Sequence, residues 1–141
     1  MSTDAVYSAV QAFLTDNWTA TPLVFENGSG EPPIAPDGSL IPWVEVEVAG
    51  NAYSQISIGA GSPADNRWRE EGQVWFHVFV KTGAGSLLAR QLATALTGLF
   101  RGAQLDPDIE FGDMSVGLGE PGDDDGNYWR LSVSIDWFRG A

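Results

Sequence analysis

Residues 71–85 read EGQVWFHVFVKTGAG, and this stretch decides the fold. Its centre has the β-branched and aromatic residues of a strand, and Gly83 and Gly85 mark the turn that follows. A strand with one face in solvent alternates apolar and polar residues, whereas this strand is apolar on both faces. The two faces carry Val74, Phe76, Val78 and Val80 on one side, and Trp75, His77 and Phe79 on the other. We therefore expect a strand that is covered from both sides.

The aromatic row of Trp75, His77 and Phe79 needs a cover of its own. Exposing large apolar side chains forgoes roughly 1.5–3 kcal/mol of burial for each of them. One possible cover is the chain's own segment 26–42, which contains four prolines and three glycines and is therefore expected to be a long loop. The other is a second subunit, which we favour because exposed aromatic rows are typical of interfaces.

Two helices are predicted from apolar residues at helical spacing. The first lies in TDAVYSAVQAFLTDNW, where Ser2 or Thr3 is the expected N-cap. The second lies in SLLARQLATALTGLF, where Ser86 is the expected N-cap and the helix ends near Phe100. The residues expected to be buried are Val6, Val10, Phe13 and Leu14 in the first helix, and Leu88, Leu92, Leu96 and Leu99 in the second.

The remaining strands complete an α+β fold. TPLVFEN predicts a short strand, and WVEVEVAGNAYSQISI predicts a hairpin with its turn at Gly50-Asn51. Further strands are predicted at 109–116 and 128–138, the last with Leu131, Val133, Ile135 and Trp137 facing inward. We expect one domain, residues 1–141, built as a two-layer sandwich: a mostly antiparallel sheet of four to six strands with two helices packed on one face.

Composition excludes several functional classes. The chain has 19 acidic and 7 basic residues, with a formal net charge of −12, which is unsuited to binding nucleic acid. It has no cysteine, so disulfides and thiolate chemistry are excluded. Because it lacks both a run of about 18 apolar residues and a secretory signal pattern, we expect no membrane association and a cytoplasmic place of synthesis.

Catalytic and cofactor motifs are also lacking. His77 is the only histidine and lies in mid-strand, so a Ser-His-Asp triad or a site of several histidines is not expected. The acidic cluster Asp123–Asp125 lacks the EF-hand spacing and is typical of a solvated turn. No glycine loop has the Lys-Ser/Thr of a phosphate site. We therefore predict no catalytic residue, no cofactor and no metal, and a protein that is not an enzyme.

The order of motifs resembles a known family. The N-terminal helix is followed by TPLVFEN, the Pro-rich segment and PWVEVEV, then by RWREEG, VWFHVFVKTGAG and a helix closing in LTGLF. Together these motifs, over residues 4–101, resemble the tail terminator proteins of long-tailed bacteriophages and phage-like particles. The last strands fit that family in pattern only.

The resemblance implies a virion subunit, assembled in the host cytoplasm at the head-proximal end of the tail. Such subunits form a ring, typically a hexamer, that caps the tail tube, stops its polymerisation and receives the head-tail connector. DNA passes through without specific binding, and the acidic balance would keep phosphates off the channel wall. On this view the subunit interface consists of Trp75, His77 and Phe79. The loops that contact tube or connector, 26–42 and 59–71, contribute Asn27, Glu31, Ile34, Arg67, Trp68 and Arg69.

Two alternatives remain open at this stage. A neck or tail-completion protein of the same particle would be a similar small ring-forming subunit. A small carbohydrate-binding module would instead use exposed aromatic rings, for which Trp18, Trp43, Trp68 and Trp129 are the candidates.

Overall fold

The computed structural model describes residues 3–28, 31–106, 108–123 and 126–140. The helices and strands follow the order α1 (Thr3–Asn17), β1 (Leu23–Phe25), β2 (Trp43–Gln55), β3 (Trp68–Lys81), α2 (Leu87–Phe100), β4 (Gln104–Leu105), β5 (Ile109–Pro121) and β6 (Tyr128–Gly140). A single 3₁₀ turn, Pro63–Asp65, lies between β2 and β3. The expected N-cap Ser2 and the Thr3 side chain lie outside the described part, as do Asp124 and Asp125.

The described strands form one sheet in the order β1-β2-β3-β6-β5-β4. β1 is parallel to β2, and the other neighbouring pairs are antiparallel. β3 lies near the centre, hydrogen-bonded to β2 on one side and to β6 on the other. The predicted α+β class, with a mostly antiparallel sheet, is confirmed.

Both helices pack against the same face of the sheet, which we call the inner face. There the side chains of β3 and β6 expected to face inward are buried, with Phe76 and Ile135 at 0% exposure. In α2 the buried residues are Ala89, Leu92, Ala93, Leu96 and Phe100. The prediction for Leu88 was wrong, since it is 45% exposed. The buried stripe of α2 instead includes Ala89 and Ala93 beside Leu92 and Leu96, because these residues recur at intervals of three and four positions and so share one side of the helix.

Residues 43–55 form one continuous strand, so the predicted hairpin turn at Gly50-Asn51 was wrong. The register with β3 instead shifts between Gly50 and Ala52, which makes a β-bulge. Gly72 lies opposite Gly50, and a Cβ atom there would collide with the Ala49 carbonyl oxygen and come within 2.6 Å of the Trp137 ring. Because Gly72 has no side chain, the β2 backbone and the Trp137 ring can approach it closely. The hairpin that the structure contains joins β2 to β3.

The connection between β2 and β3 ends earlier than the predicted loop 59–71, because β3 begins at Trp68. Trp68 and Arg69 belong to β3, and only Arg67 lies in the connection. Trp68 stacks on Tyr53 of the neighbouring strand, with ring centroids 5.2 Å apart. The strand continues through RWREEG because each residue from Trp68 to Glu71 pairs with β2.

Candidate assembly surface

The face of the sheet opposite the helices, the outer face, carries the aromatic row of β3. Trp75 lies between Glu47 of β2 and Ser134 of β6, and His77 lies between Glu45 and Ser132. These neighbours are polar, as the alternation in β2 and β6 predicts. The row is therefore an aromatic line across an otherwise polar surface.

Phe79, at one end of the row, is covered by the chain itself. It is 5% exposed, stacks on Trp43 with centroids 4.0 Å apart, and meets the edge of Tyr128 at 6.2 Å. Leu40 of the Pro-rich segment packs against this small cluster, together with Val24 of β1. Of the two covers considered, the chain's own segment thus applies at this end. Phe79 has little surface left for a partner.

Trp75 and His77 are only half-buried, and their rings are nearly parallel with centroids 6.2 Å apart. The Trp75 indole N–H donates to Gln73 Oε1 at 3.1 Å, and the Gln73 amide donates to Asp136 Oδ1 at 3.1 Å. This chain of bonds fixes the indole in the sheet while leaving part of its apolar surface in contact with water. A fixed aromatic ring loses little entropy on binding, which suits an interface.

A cluster of ionisable groups surrounds His77. Its Nδ1 lies 2.7 Å from Ser132 Oγ, and its Nε2 lies 3.5 Å from Glu47 Oε1. Burial lowers the pKa of His77, while Glu47 raises it and Arg130 lowers it further. Burial also raises the pKa of Glu45, and both a hydrogen bond with Glu47 and the negative charge of Glu47 raise it further. Two carboxyl groups and one imidazole therefore lie close together on the outer face.

The later part of the Pro-rich segment lies at the Phe79 end of the sheet, whereas its first residues follow β1 beside the middle of β2. Glu31 lines a groove of about 430 Å³ with Trp43 and Phe79. Ile34 is 60% exposed and forms an isolated bridge with Leu40. Asn27 is exposed and has a φ angle of 57°, a left-handed conformation in which asparagine is one of the few common residues. Hydrogen bonds from the Ser39 side chain and backbone lower the pKa of Asp37 in the same segment.

The second predicted contact region lies at the other end of β3. Arg67 is exposed, and Arg69 pairs with Glu71 at 3.6 Å and lies 4.6 Å from the centre of the Phe138 ring. Trp68 and Phe79 are 11 positions apart in one strand, or about 36 Å at 3.3 Å per residue. The structure therefore keeps the two predicted contact regions apart, at opposite ends of the sheet.

Exposed apolar residues that the sequence analysis missed flank these regions. Ile58 is 90% exposed in the β2–β3 connection, and Leu118 is 91% exposed on β5. Ile58 was assigned to the arm of a hairpin, and Leu118 to the region between two predicted strands. For Leu118, the sequence signal that could have indicated exposure is a single large apolar residue between two glycines, as in VGLGE.

The four tryptophans of the carbohydrate alternative do not form one platform. Trp18 is buried in the inner core, and Trp129 packs against that core. Trp43 is in the Phe79 cluster, and Trp68 is stacked on Tyr53.

The hairpin turn expected at Asp123 is present: the Asp123 carboxylate accepts hydrogen bonds from the backbone N–H groups of Asn127 and Tyr128.

Comparison with known proteins follows from this geometry. A solved structure superposes on the chain with a TM-score of 0.68 at 24% sequence identity, covering 99% of this chain and 96% of the other, which is a likeness of fold. No curated protein matches the sequence. A family model described as phage tail terminator protein matches residues 5–137.

The chain therefore belongs to the phage tail terminator protein family. Members of this family are structural virion proteins, so the chain has a structural role in a phage tail. Neither described helix is long and apolar enough to cross a membrane.

Proposed function

We propose that the chain forms a closed ring, a hexamer, on the head-proximal end of the tail tube. The ring stops tube polymerisation and provides the surface to which the head-tail connector attaches. Membership of the tail terminator family is the observation that carries this proposal. The neck or tail-completion role has no separate observation in its favour.

A closed ring of identical subunits needs two different patches on each subunit, because each patch meets the other one on the next copy. The first patch in this proposal is the half-buried pair Trp75 and His77 on the outer face. The second is the apolar part of β5, where Val116 is 47% and Leu118 is 91% exposed. Phe79, at the end of the same row, contributes little surface to this patch, since the chain already covers its ring.

Contacts along the ring axis are assigned to the two ends of the sheet. One end carries Glu31 and Ile34 of the Pro-rich segment, and the other carries Arg67 with Trp68 and Arg69. Asn27, which follows β1 beside the middle of β2, is proposed as a further contact residue. A ring between tube and connector needs a contact region on each side, and this separation of about 36 Å along β3 provides it. Arginine and tryptophan are enriched among residues that anchor interfaces.

The net charge of −12 suits a channel through which DNA slides. Like charge on the wall keeps phosphates from binding, so DNA passes without a specific site. Replacing lumen-facing acidic residues by lysine in assembled particles should slow DNA delivery. Unchanged delivery would remove this part of the proposal.

The test is native mass spectrometry of the chain over a concentration series, with and without polymerised tail-tube protein. We expect a discrete closed ring, alone or on the tube. A chain that stays monomeric at every concentration and also ignores the tube would overturn the proposal.

A matched pair of variants separates the interface from general surface effects. Leu118→Ser should reduce ring formation at least tenfold, because it removes an exposed apolar residue from the second patch. Leu87→Ser changes a leucine that is 70% exposed on α2, outside both patches, and should leave the ring intact. Equal assembly of the two variants would contradict the assignment of β5 to the interface.

A further inference from the structure

Three possible metal ligands meet on the outer face although they are far apart in the sequence. Glu45 and Glu47 alternate along β2 and so lie on one side of the sheet, and His77 of β3 is the direct cross-strand partner of Glu45. One carboxylate oxygen from each glutamate and one ring nitrogen of His77 all lie within 4.8 Å of one another. Only the register of β2 on β3 brings these groups together.

The hydrogen bond to Ser132 prepares His77 for this role. A histidine that binds a metal usually donates its second ring N–H to a neighbouring oxygen, which fixes both ring orientation and tautomer. Ser132 Oγ lies 2.7 Å from Nδ1, in the position of such an acceptor. With the proton on Nδ1, the lone pair of Nε2 is directed toward the Glu47 carboxylate, and a cation between these two acceptors would stabilise the arrangement.

The spacing also fits a metal better than it fits a direct hydrogen bond. Nε2 and Glu47 Oε1 are 3.5 Å apart, which is long for a hydrogen bond. Zinc–nitrogen and zinc–oxygen bonds of about 2.0–2.2 Å at a tetrahedral angle place two ligand atoms about 3.4 Å apart. The two distances agree within the tolerance of a side-chain rotation.

Charge and exposure agree with the same site. Two carboxylates neutralise a divalent ion, and the Glu47 side chain is 45% exposed, so an ion can enter from solvent. Arg130 also acts on this cluster, but its guanidinium is engaged by Glu120 in an ion pair. A nitrogen ligand favours zinc, cobalt or nickel over magnesium and calcium, which prefer oxygen alone.

We propose that Glu45, Glu47 and His77 bind one divalent transition-metal ion of the zinc type, with Ser132 as the positioning residue behind His77. Three protein ligands leave a fourth position for water or for a group from a partner. The ion would join β2 to β3, and through Ser132 to β6. The site shares His77 with the first patch of the proposed ring, but it does not rest on that proposal, since the binding of an ion is measured on the chain alone.

The test uses tag-free full-length protein treated with a chelator and then titrated with Zn²⁺ by calorimetry and with Co²⁺ by visible absorption. We expect one ion per chain, a Co²⁺ spectrum of a four- or five-coordinate site with nitrogen, and a change in the tryptophan fluorescence of the chain, because the Trp75 ring lies 6.2 Å from that of His77. No binding, or binding of Mg²⁺ in preference to Zn²⁺, would overturn the proposal.

Variants then assign the ligands. His77→Gln and Glu47→Gln should each lower the Zn²⁺ affinity at least tenfold, and Ser132→Ala should lower it by a factor of about ten while keeping one ion per chain. Glu110→Gln changes an exposed glutamate on β5 and serves as the matched control, with unchanged affinity expected. Wild-type affinity in the His77 and Glu47 variants, checked as folded by circular dichroism, would place the ion elsewhere and refute this site.

Discussion

The two faces of β3 differ in what covers them. On the inner face, Val74, Phe76 and Val78 are all at 0% exposure beneath the helices. On the outer face, Phe79 is enclosed by the chain's own aromatic side chains, whereas Trp75 and His77 are only partly buried. In an unbroken apolar strand, one face and one end thus stabilise the subunit, and the middle of the other face is the part that we propose for contacts with other subunits.

The largest effect is expected on the inner face. Phe76→Ala should lower the free energy of unfolding by about 3–5 kcal/mol, because it removes a fully buried ring that packs on Phe100 and leaves a cavity. Urea denaturation followed by circular dichroism measures the change. Phe76→Leu, which keeps most of the volume, should cost clearly less. A loss below about 1 kcal/mol for the alanine variant would mean that the helices do not close this face.

Phe79→Ala tests whether the end of the outer face is a second core. The ring stacks on Trp43 and contacts Tyr128 edge to face, so its removal should cost about 2–3 kcal/mol, less than in the main core because the cluster is smaller. The same denaturation experiment measures this. A cost near zero would show that the cluster opens easily in solution, and Phe79 would then return as an interface residue.

Trp75→Ala should separate stability from assembly. The indole is half-exposed and keeps a single hydrogen-bond partner, Gln73, so we expect about 1 kcal/mol of lost stability. Ring formation on tube protein, followed by native mass spectrometry, should nevertheless fall strongly. If stability fell as much as in Phe76→Ala, the two faces would be equivalent and the comparison would fail.

The smallest effect concerns pH and the His77 cluster. Burial and Arg130 lower the pKa of His77, against the attraction of Glu47 and Glu120, so below about pH 6.5 the unfolded chain binds more protons than the folded one. Stability should therefore fall as the pH drops through this window. The pKa of Glu45 is raised in the folded chain, so above about pH 4.3 the folded chain binds more protons at Glu45 than the unfolded chain does. The Glu45 contribution to stability therefore rises as the pH falls through this range.

His77→Gln isolates the histidine contribution. In the presence of a chelator, the variant should lose less stability between pH 7 and pH 5.5 than the wild-type chain, as measured by the urea midpoint at each pH. Identical pH profiles would mean that His77 titrates alike in the folded and unfolded states.

Several elements could be predicted because their signal is local. The inward set of β6, with Leu131, Val133 and Ile135 at 0% exposure, follows from strict alternation. The ends of α2 follow from Ser86 and Gly102, although the Ser86 side chain makes no capping hydrogen bond. The turn at Gly50-Asn51 could not be distinguished from a bulge, because glycine and asparagine favour both, and only the partner strand decides between them.

The candidate site was predicted in part. The pattern of β3 placed Trp75, His77 and Phe79 on one face, and the structure places them there. It could not indicate that Phe79 would be covered by Trp43, or that Glu45 and Glu47 would meet His77. These contacts join β3 to residues 30 to 36 positions away, and a shift of the register by one residue would have moved every side chain of β2 to the other face.

The sequence by itself determined the class of fold, the two helices, the doubly apolar central strand and the likeness to tail terminators. The first three depend on the period of apolar residues along the chain, which is fixed by backbone geometry, whereas the likeness rests on the order of the sequence motifs. Only the tertiary structure decided the pairing of β2 with β3, the cover over Phe79, the exposure of Leu118 and the cluster around His77. Such features depend on contacts between distant segments, and their free energies appear only when the whole chain packs.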